Sequence, residues 1–293
     1  MVFDLFKRKK TCMELEIYEQ SEISQKILDA YLDSTGNINI DVPTDINRII
    51  LVASGSSYHC ARYAAELFSS ISKIEASAIY SSEFLLEDTI AHSDNILYIF
   101  ITQSGETTDT NSALEKAKEH GVKTLCITNK ENSTIWNASD YKVACLAGEE
   151  KSIAATKSFV SQLLCSTLLA LKFAQIQGID TYDYTLDLKM IPSFISKSFE
   201  LQPKIKQLAR FLSKYKNVVM TADGQSYALA KEASLKIKET SYINTSSAIL
   251  GEFMHGHVAV LNNNNEVLVY ILNDNLTYTA TKNLNKIKES YNP

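Results

Sequence analysis

The sequence predicts an α/β protein made of two units, each a parallel, doubly wound sheet flanked by helices. Three observations carry this expectation. Short uninterrupted apolar runs recur, the clearest from Ile96 to Ile101, and such runs suit strands buried on both faces. Helical patterns separate these runs, and the loops between them are short. The order strand, Gly/Ser turn, helix seen from Arg48 to Ser57 starts again at Asn217 to Ser226. The expected division is 1–44 for an N-terminal extension and helix, 45–192 for the first unit and 193–293 for the second. The second unit has few strands, so its sheet is expected to be incomplete at the C-terminus.

In chain order, Ile23, Ile27, Leu28, Tyr31 and Leu32 have helical spacing and predict an amphipathic helix over 20–34. Arg48 to Ala53 is a strand that runs into Ser54-Gly55-Ser56-Ser57 and a helix to about Ser70. Ala76 to Tyr80 is a short strand. Ile96 to Ile101 is the central strand and ends in Thr102-Gln103-Ser104-Gly105-Glu106-Thr107. The next helix is expected to be capped by Asp109 or Thr110 and stopped by Gly121. Strands at Val122–Thr128 and Tyr141–Leu146 precede an apolar helix, Thr156–Gln175. The polar, tyrosine-rich stretch Gly178–Pro192 reads as a connection, followed by a helix over Phe194–Tyr215 broken near Pro203. The second unit offers a strand at Asn217–Thr221, a helix at 226–240, a strand at Glu266–Leu272 and a helix at Tyr278–Glu289.

Composition narrows the function classes. Of 293 residues, 45% are hydrophobic and 22% charged, the balance of a soluble globular chain. A net charge of −5 without a long basic block argues against nucleic acid as a partner. Five scattered cysteines, none in a C-x-x-C pair, read as reduced core residues of a cytoplasmic protein. The apolar runs read as too short to cross a membrane, so no membrane partner is expected. The basic start, residues 1–10, lacks the apolar region of a signal peptide.

The residues suited to chemistry fall into three groups. The two Ser/Gly turns each follow a buried parallel strand, so both lie at one carboxyl edge and can converge on one anion. Helix N-termini there offer free N–H groups, and the hydroxyls supply hydrogen bonds in place of a cationic clamp, which suits a phosphate monoester. No G-x-x-x-x-G-K-[ST] or G-x-G-x-x-G occurs, so nucleotide binding is disfavoured and no cofactor is expected. Glu232, Lys236 and Glu239 share one helix face at i, i+4 and i+7. That stripe is either a solvated face or a carboxylate base beside a lysine, suited to enolisation. His255 sits in a Gly-flanked loop and suits acid/base work. With only His257 nearby and no third ligand, a metal is not expected. His59 reads as a packing or capping residue, and Trp136 as core.

Taken together, Gly55-Ser-Ser-Tyr-His59, Gln103-Ser-Gly-Glu-Thr-Thr-Asp-Thr110, Ala154-Ala-Thr-Lys-Ser-Phe159, Leu235-Lys-Ile-Lys-Glu-Thr-Ser-Tyr-Ile243 and Gly251-Glu-Phe-Met-His-Gly256 resemble the sugar isomerase (SIS) domain family. Within it they are most similar to the isomerase half of the glutamine–fructose-6-phosphate aminotransferases, from Glu16 onward. The resemblance implies two flavodoxin-like SIS units in a homodimer. It implies that Gly55, Ser56, Ser57, Thr102, Gln103, Ser104 and Thr107 hold a sugar phosphate and nearby hydroxyls, and that Ile153, Ala154 and Ala155 approach the sugar. Glu239 matches the base that moves a proton between C1 and C2, Lys236 the lysine beside it, and His255 a ring-opening histidine supplied by the partner subunit. The implied activity is isomerisation or deamination of a 6-phosphosugar such as fructose 6-phosphate or glucosamine 6-phosphate, through an enediol or enolamine. Deglycation of a phosphorylated fructosamine and a catalytically silent phosphosugar-binding module are the alternatives. Three departures stand out. His257 replaces a proline, and Ala155 replaces a small hydroxyl residue. The family's C-terminal tail, with its lysine, and its glutaminase domain are expected to be missing from the chain.

Overall fold

In the computed structural model, residues 10–262, 266–271 and 278–291 are described, and expectations for 1–9 and for Leu272 lie outside them. Five parallel strands form the first sheet in the order β2-β1-β3-β4-β5: β1 Arg48–Ala53, β2 Glu75–Tyr80, β3 Ile96–Thr102, β4 Lys123–Thr128 and β5 Tyr141–Ala144. This is the doubly wound order in which the chain reverses its direction of growth between β1 and β3. All seven residues of β3 are buried, as a central parallel strand requires. Leu97, Ile99 and Ile101 join one hydrophobic cluster and Tyr98 and Phe100 the other, so alternate side chains supply the cores on the two faces.

The first face is covered by α1 (Cys12–Tyr31), α2 (Gly55–Leu67) and α6 (Lys157–Ile176). The second is covered by α3 (Ser81–Leu86), α4 (Thr108–Glu119) and α5 (Thr134–Ala138). On α4 the buried residues are Thr110, Ala113, Leu114 and Ala117, the i, i+3, i+4, i+7 stripe of an amphipathic helix. The end of α1 is pinned to β5: the Tyr31 hydroxyl donates to Ala144 O (3.0 Å) and accepts from Ala144 N (2.9 Å).

The second unit holds three parallel strands among the described residues, ordered β7-β6-β8: β6 Asn217–Ala222, β7 Asn244–Ile249 and β8 Glu266–Tyr270. With α9 (Ser226–Ser241) they repeat the arrangement of β2-β1-β3 and α2.

Several expectations are corrected. The stretch read as a connection is mostly helix: α7 spans Tyr182–Ser198 and contains Pro192. The 192/193 division therefore runs through α7. Thr185 and Leu188 anchor this helix in the core despite its polar composition. The break before α8 (Gln202–Leu212) is a 3₁₀ turn at Phe199–Leu201, and Pro203 sits in the first turn of α8, where its missing N–H costs nothing. The cap of α4 is Thr107, not Asp109 or Thr110. Strand β7 escaped sequence reading because N-T-S-S-A-I is polar at an edge. Finally, α6 is long and apolar enough to cross a membrane, yet 67% of its apolar window is buried inside the protein. Its apolarity is that of a helix packed on several sides, against α1, α2 and the sheet.

Phe100 is fully buried in the second-face core. Phe100→Ala is expected to destabilise the protein by about 3–5 kcal/mol, read as a lower denaturant midpoint.

Candidate active site

The two hydroxyl turns meet. β1 and β3 are direct neighbours with Ala53 opposite Ile101, so Ser54 and Thr102 leave the sheet side by side. Between them lies a cavity of about 140 Å³ lined by Ser56, Ser57, Thr102, Gln103, Ser104 and Thr107, with Ala155 and Gln162 from the α6 side. It is small beside the ~300–1,000 Å³ typical of drug-sized ligand sites, and its hydroxyl lining suits a compact polar group. Gly55 at φ +56 and Gly105 at φ +69 shape the turns.

The second turn is braced from outside. The Glu106 carboxylate accepts from Thr134 N (3.0 Å) and Thr134 Oγ1 (2.7 Å), and these bonds hold it below the usual carboxylate range. Glu106 is thus a strut for the loop. The Thr102 and Thr107 hydroxyls are 3.0 Å apart, and Ser104 Oγ accepts from Glu106 N at 3.1 Å. A Cβ on Gly105 would lie 2.0 Å from Ser133 Oγ and 2.4 Å from Ser133 Cβ, so this turn packs directly on the start of α5.

The segment bearing Ile153, Ala154 and Ala155 is tied down at both ends. Glu16 on α1, 4% exposed, accepts from Lys151 N (2.5 Å) and Ser152 N (3.3 Å). Burial pushes its carboxyl up, but these bonds and the Ser152 hydroxyl outweigh burial and leave it below its ordinary range. Glu150 accepts from Thr156 N (2.8 Å) and Ser158 N (3.3 Å), closing the N-terminus of α6. Ala155 reaches the cavity wall, Ala154 is buried, and Ile153 is fully exposed at the tip.

Helix α9 crosses from the second unit to pack on α2. Its charged stripe is buried at Glu232, half-buried at Lys236 and exposed at Glu239. Glu232 is 6% exposed: Oε1 accepts from Ser56 Oγ (2.8 Å) and lies 3.4 Å from Lys236 Nζ, while Oε2 is 2.7 Å from His59 Nδ1. Burial raises the Glu232 carboxyl, but the His59 and Ser56 hydrogen bonds and the Lys236 charge prevail and hold it below its ordinary value. Lys236 Nζ donates to Ser56 Oγ (3.3 Å) and pairs with Glu239 at 2.7 Å. Neither Lys236 nor Glu239 lines the cavity: Lys236 is joined to its wall through Ser56, and Glu239 only through Lys236.

His255 does not line the cavity. It is exposed just after α10 (Leu250–Phe253), and its backbone N–H donates to Glu252 O (2.9 Å). Trp136 is half-buried against the second-face core.

Sequence reading missed two residues. His59, expected as a packing or capping residue, is a buried partner of Glu232. Its i, i+3 relation to Ser56 was a usable signal. Gln162 is 1% exposed and lines the cavity, and its Oε1 has no partner among the described residues. Nothing in the local sequence distinguishes it from other polar residues of α6. Among the described residues, no cluster of three His, Cys, Asp or Glu side chains could hold a metal ion.

The SIS domain pattern matches residues 44–172 and 211–291, more than half of the chain. The chain belongs to the SIS domain family. This SIS chain is 34% identical over 284 residues to the glutamine–fructose-6-phosphate aminotransferase (isomerizing) of Fusobacterium nucleatum, covering 94% of the chain and 46% of that protein. It is 36% identical over 253 residues to the same enzyme of Campylobacter jejuni, covering 85% of the chain and 42% of that protein. The chain thus spans about half the length of the curated relatives it matches. Among solved structures it resembles the C-terminal domain of glucosamine-fructose-6-phosphate aminotransferase from Francisella tularensis, with a TM-score of 0.90, 30% identity and coverage of 96% of the chain and 81% of that structure. Glucosamine-6-phosphate deaminase of Thermotoga maritima matches with a TM-score of 0.77 over 95% of this chain and 82% of its own, at 21% identity, a likeness of fold alone.

Gly105→Ala is expected to lower the melting temperature and weaken any ligand of this cavity, because the added methyl meets Ser133. Gly55→Ala has nothing within 4 Å of the new Cβ and should cost only the strain of its positive φ. Thermal melts of the two variants compare the effects directly.

Proposed function

We propose that this chain is a phosphosugar enzyme that moves a proton between C1 and C2 of a 6-phosphosugar, with Glu239 as base. One observation supports this most: two hydroxyl turns from separate strands line a single cavity, and Ser56 of its wall bonds a lysine of the other unit that is itself paired with a carboxylate. On this reading Ser57, Thr102, Ser104 and Thr107, with the backbone N–H groups of the turns, hold the phosphate by neutral donors. The free amide oxygen of Gln162 accepts from a sugar hydroxyl. Gly55 and Gln103 shape the turns, and Ile153, Ala154 and Ala155 border the sugar. Lys236 stabilises the oxygen that gains charge as the enediol forms, and Glu239 takes the proton. His255, exposed in its own subunit, acts across a homodimer interface. Isomerisation, deamination and deglycation share the proton-transfer step, so the proposal covers the class rather than one product. The division into two SIS units, 45–192 and 193–293, belongs to the same reading, with α7 spanning the boundary.

A second reading, a silent phosphosugar-binding module, is favoured by one observation. Glu239 and Lys236 pair at 2.7 Å, and an ion pair held in that form quenches the base.

Removing one hydroxyl donor to a charged acceptor costs ~1.5–3 kcal/mol. Ser104→Ala should therefore bind fructose 6-phosphate roughly ten- to a hundredfold more weakly with its fold intact, by calorimetry. Glu239→Gln should bind near normally but lose C1/C2 proton exchange with deuterated water by about 10²–10⁴-fold. Wild-type protein that binds the sugar yet never exchanges the proton would leave the binding module. Mixing Glu239→Gln with His255→Ala chains should restore activity through one competent site per heterodimer, whereas a strictly monomeric protein in sedimentation contradicts a shared site.

A further inference from the structure

We propose that His59 is a positioning residue: by holding the buried carboxylate of Glu232, it keeps Lys236 shared between two carboxylates and so leaves Glu239 available as a base. The inference rests on the reading of Glu239 given above.

An ammonium group has three protons to donate. Lys236 has three oxygens around it, at 2.7 Å (Glu239), 3.3 Å (Ser56) and 3.4 Å (Glu232), so each proton has its own acceptor. Two of these acceptors are themselves fixed. The Ser56 hydroxyl gives its proton to Glu232 Oε1, which leaves its lone pairs facing Lys236. Glu232 is held at its other oxygen by His59 Nδ1, 2.7 Å away. Ser56 and His59 stand one turn apart on α2, and Glu232 and Lys236 one turn apart on α9. The network is therefore built from two rigid helices rather than from loops.

His59 is 8% exposed, and Glu232 has little access to water. Without the Nδ1 donor, Glu232 Oε2 would be a buried charged acceptor without a partner, a costly state. The carboxylate escapes by turning or by taking up a proton, and either change withdraws it from Lys236. Of the two carboxylates only Glu239 then holds the ammonium, and the pair tightens. The consequence is specific. Loss of His59 should impair proton transfer and spare the phosphate turns, whose Ser57, Ser104 and Thr107 lie outside the network.

The test compares His59→Leu, which removes the donor, with His59→Asn, which offers an amide N–H near the Nδ1 position. In His59→Leu, C1/C2 proton exchange of fructose 6-phosphate should slow about ten- to a hundredfold, the scale of one hydrogen bond to a charged group, while its Kd moves by less than about threefold. His59→Asn should recover most of the rate. Exchange in His59→Leu within about twofold of wild type overturns the inference, as does a His59→Asn variant as slow as His59→Leu. Glu232→Gln keeps the shape and removes the charge, so it reads the same point should His59→Leu fail to fold. A wild-type rate in Glu232→Gln likewise overturns the inference. A substrate-free readout separates this inference from the enzyme reading. The Lys236 ammonium signal in ¹⁵N-lysine NMR should shift in His59→Leu and return in His59→Asn. An unmoved signal overturns the positioning role even in a protein that exchanges no proton, whereas absent wild-type exchange with a moved signal removes only the enzyme reading.

Discussion

The structure depends on the pairing of β1 with β3 at the point where the sheet reverses its order of growth. Because the two strands are parallel and in register, their carboxyl ends finish together, with Ala53 opposite Ile101. Because the chain grows outward from them in both directions, α2 packs into the core on one face and α4 into the core on the other. The turns that lead to these helices must then diverge, and a crevice opens between them. The residue types follow. A turn at a helix start needs side chains that tolerate exposed N–H groups and glycine where φ is positive, and both loops supply hydroxyls and one glycine each. The cavity is thus a consequence of topology, lined by the residues that such turns favour.

A second constraint joins the units. Packing α9 on α2 buries charge: Glu232 and Lys236 meet Ser56 and His59 where little water reaches. Buried ion pairs are poor sources of stability, since desolvation opposes the Coulombic gain. What such a cluster offers is geometry. Both Glu232 oxygens and the Lys236 ammonium have partners on α2, so a shift of α9 along α2 would strand a charge. The stripe on α9 is best understood as a register lock that also sets Lys236 against Ser56 of the cavity wall.

Much of this was legible in the sequence. The buried run Ile96–Ile101 and the hydroxyl turns gave both the sheet and the convergence of Ser56, Ser57, Thr102, Ser104 and Thr107, because strand burial and turn chemistry are local properties. The roles expected for Lys236 and Glu239 came from the resemblance alone. What could not be read were facts of assembly. Glu232 and Glu239 are both glutamates one turn from Lys236, and only the packing of α9 on α2 buries the first and leaves the second partly open. His59 looked like any helix histidine until Glu232 was set against it. The helix α7 was hidden because its polar, tyrosine-rich surface outweighs the few residues that anchor it. Strand β7 was hidden because an edge strand need not be apolar.

The distribution of charge bears on how a substrate would lie. Glu232 and Glu239 set two carboxylates against the single ammonium of Lys236, on the α9 side of Ser56. A phosphate dianion placed against them would be repelled. The N-termini of α2 and α4 line the cavity with hydroxyls, and Glu106 of the second turn is bonded to Thr134. On the proposed reading a phosphosugar would lie with its phosphate in the turns and its other end toward Lys236 and Glu239. The same argument explains why the turns need no Lys or Arg of their own. A cation there would pair with Glu232 or Glu239 and disturb the sharing of Lys236. On that reading neutral donors suffice for the anion and leave that balance intact.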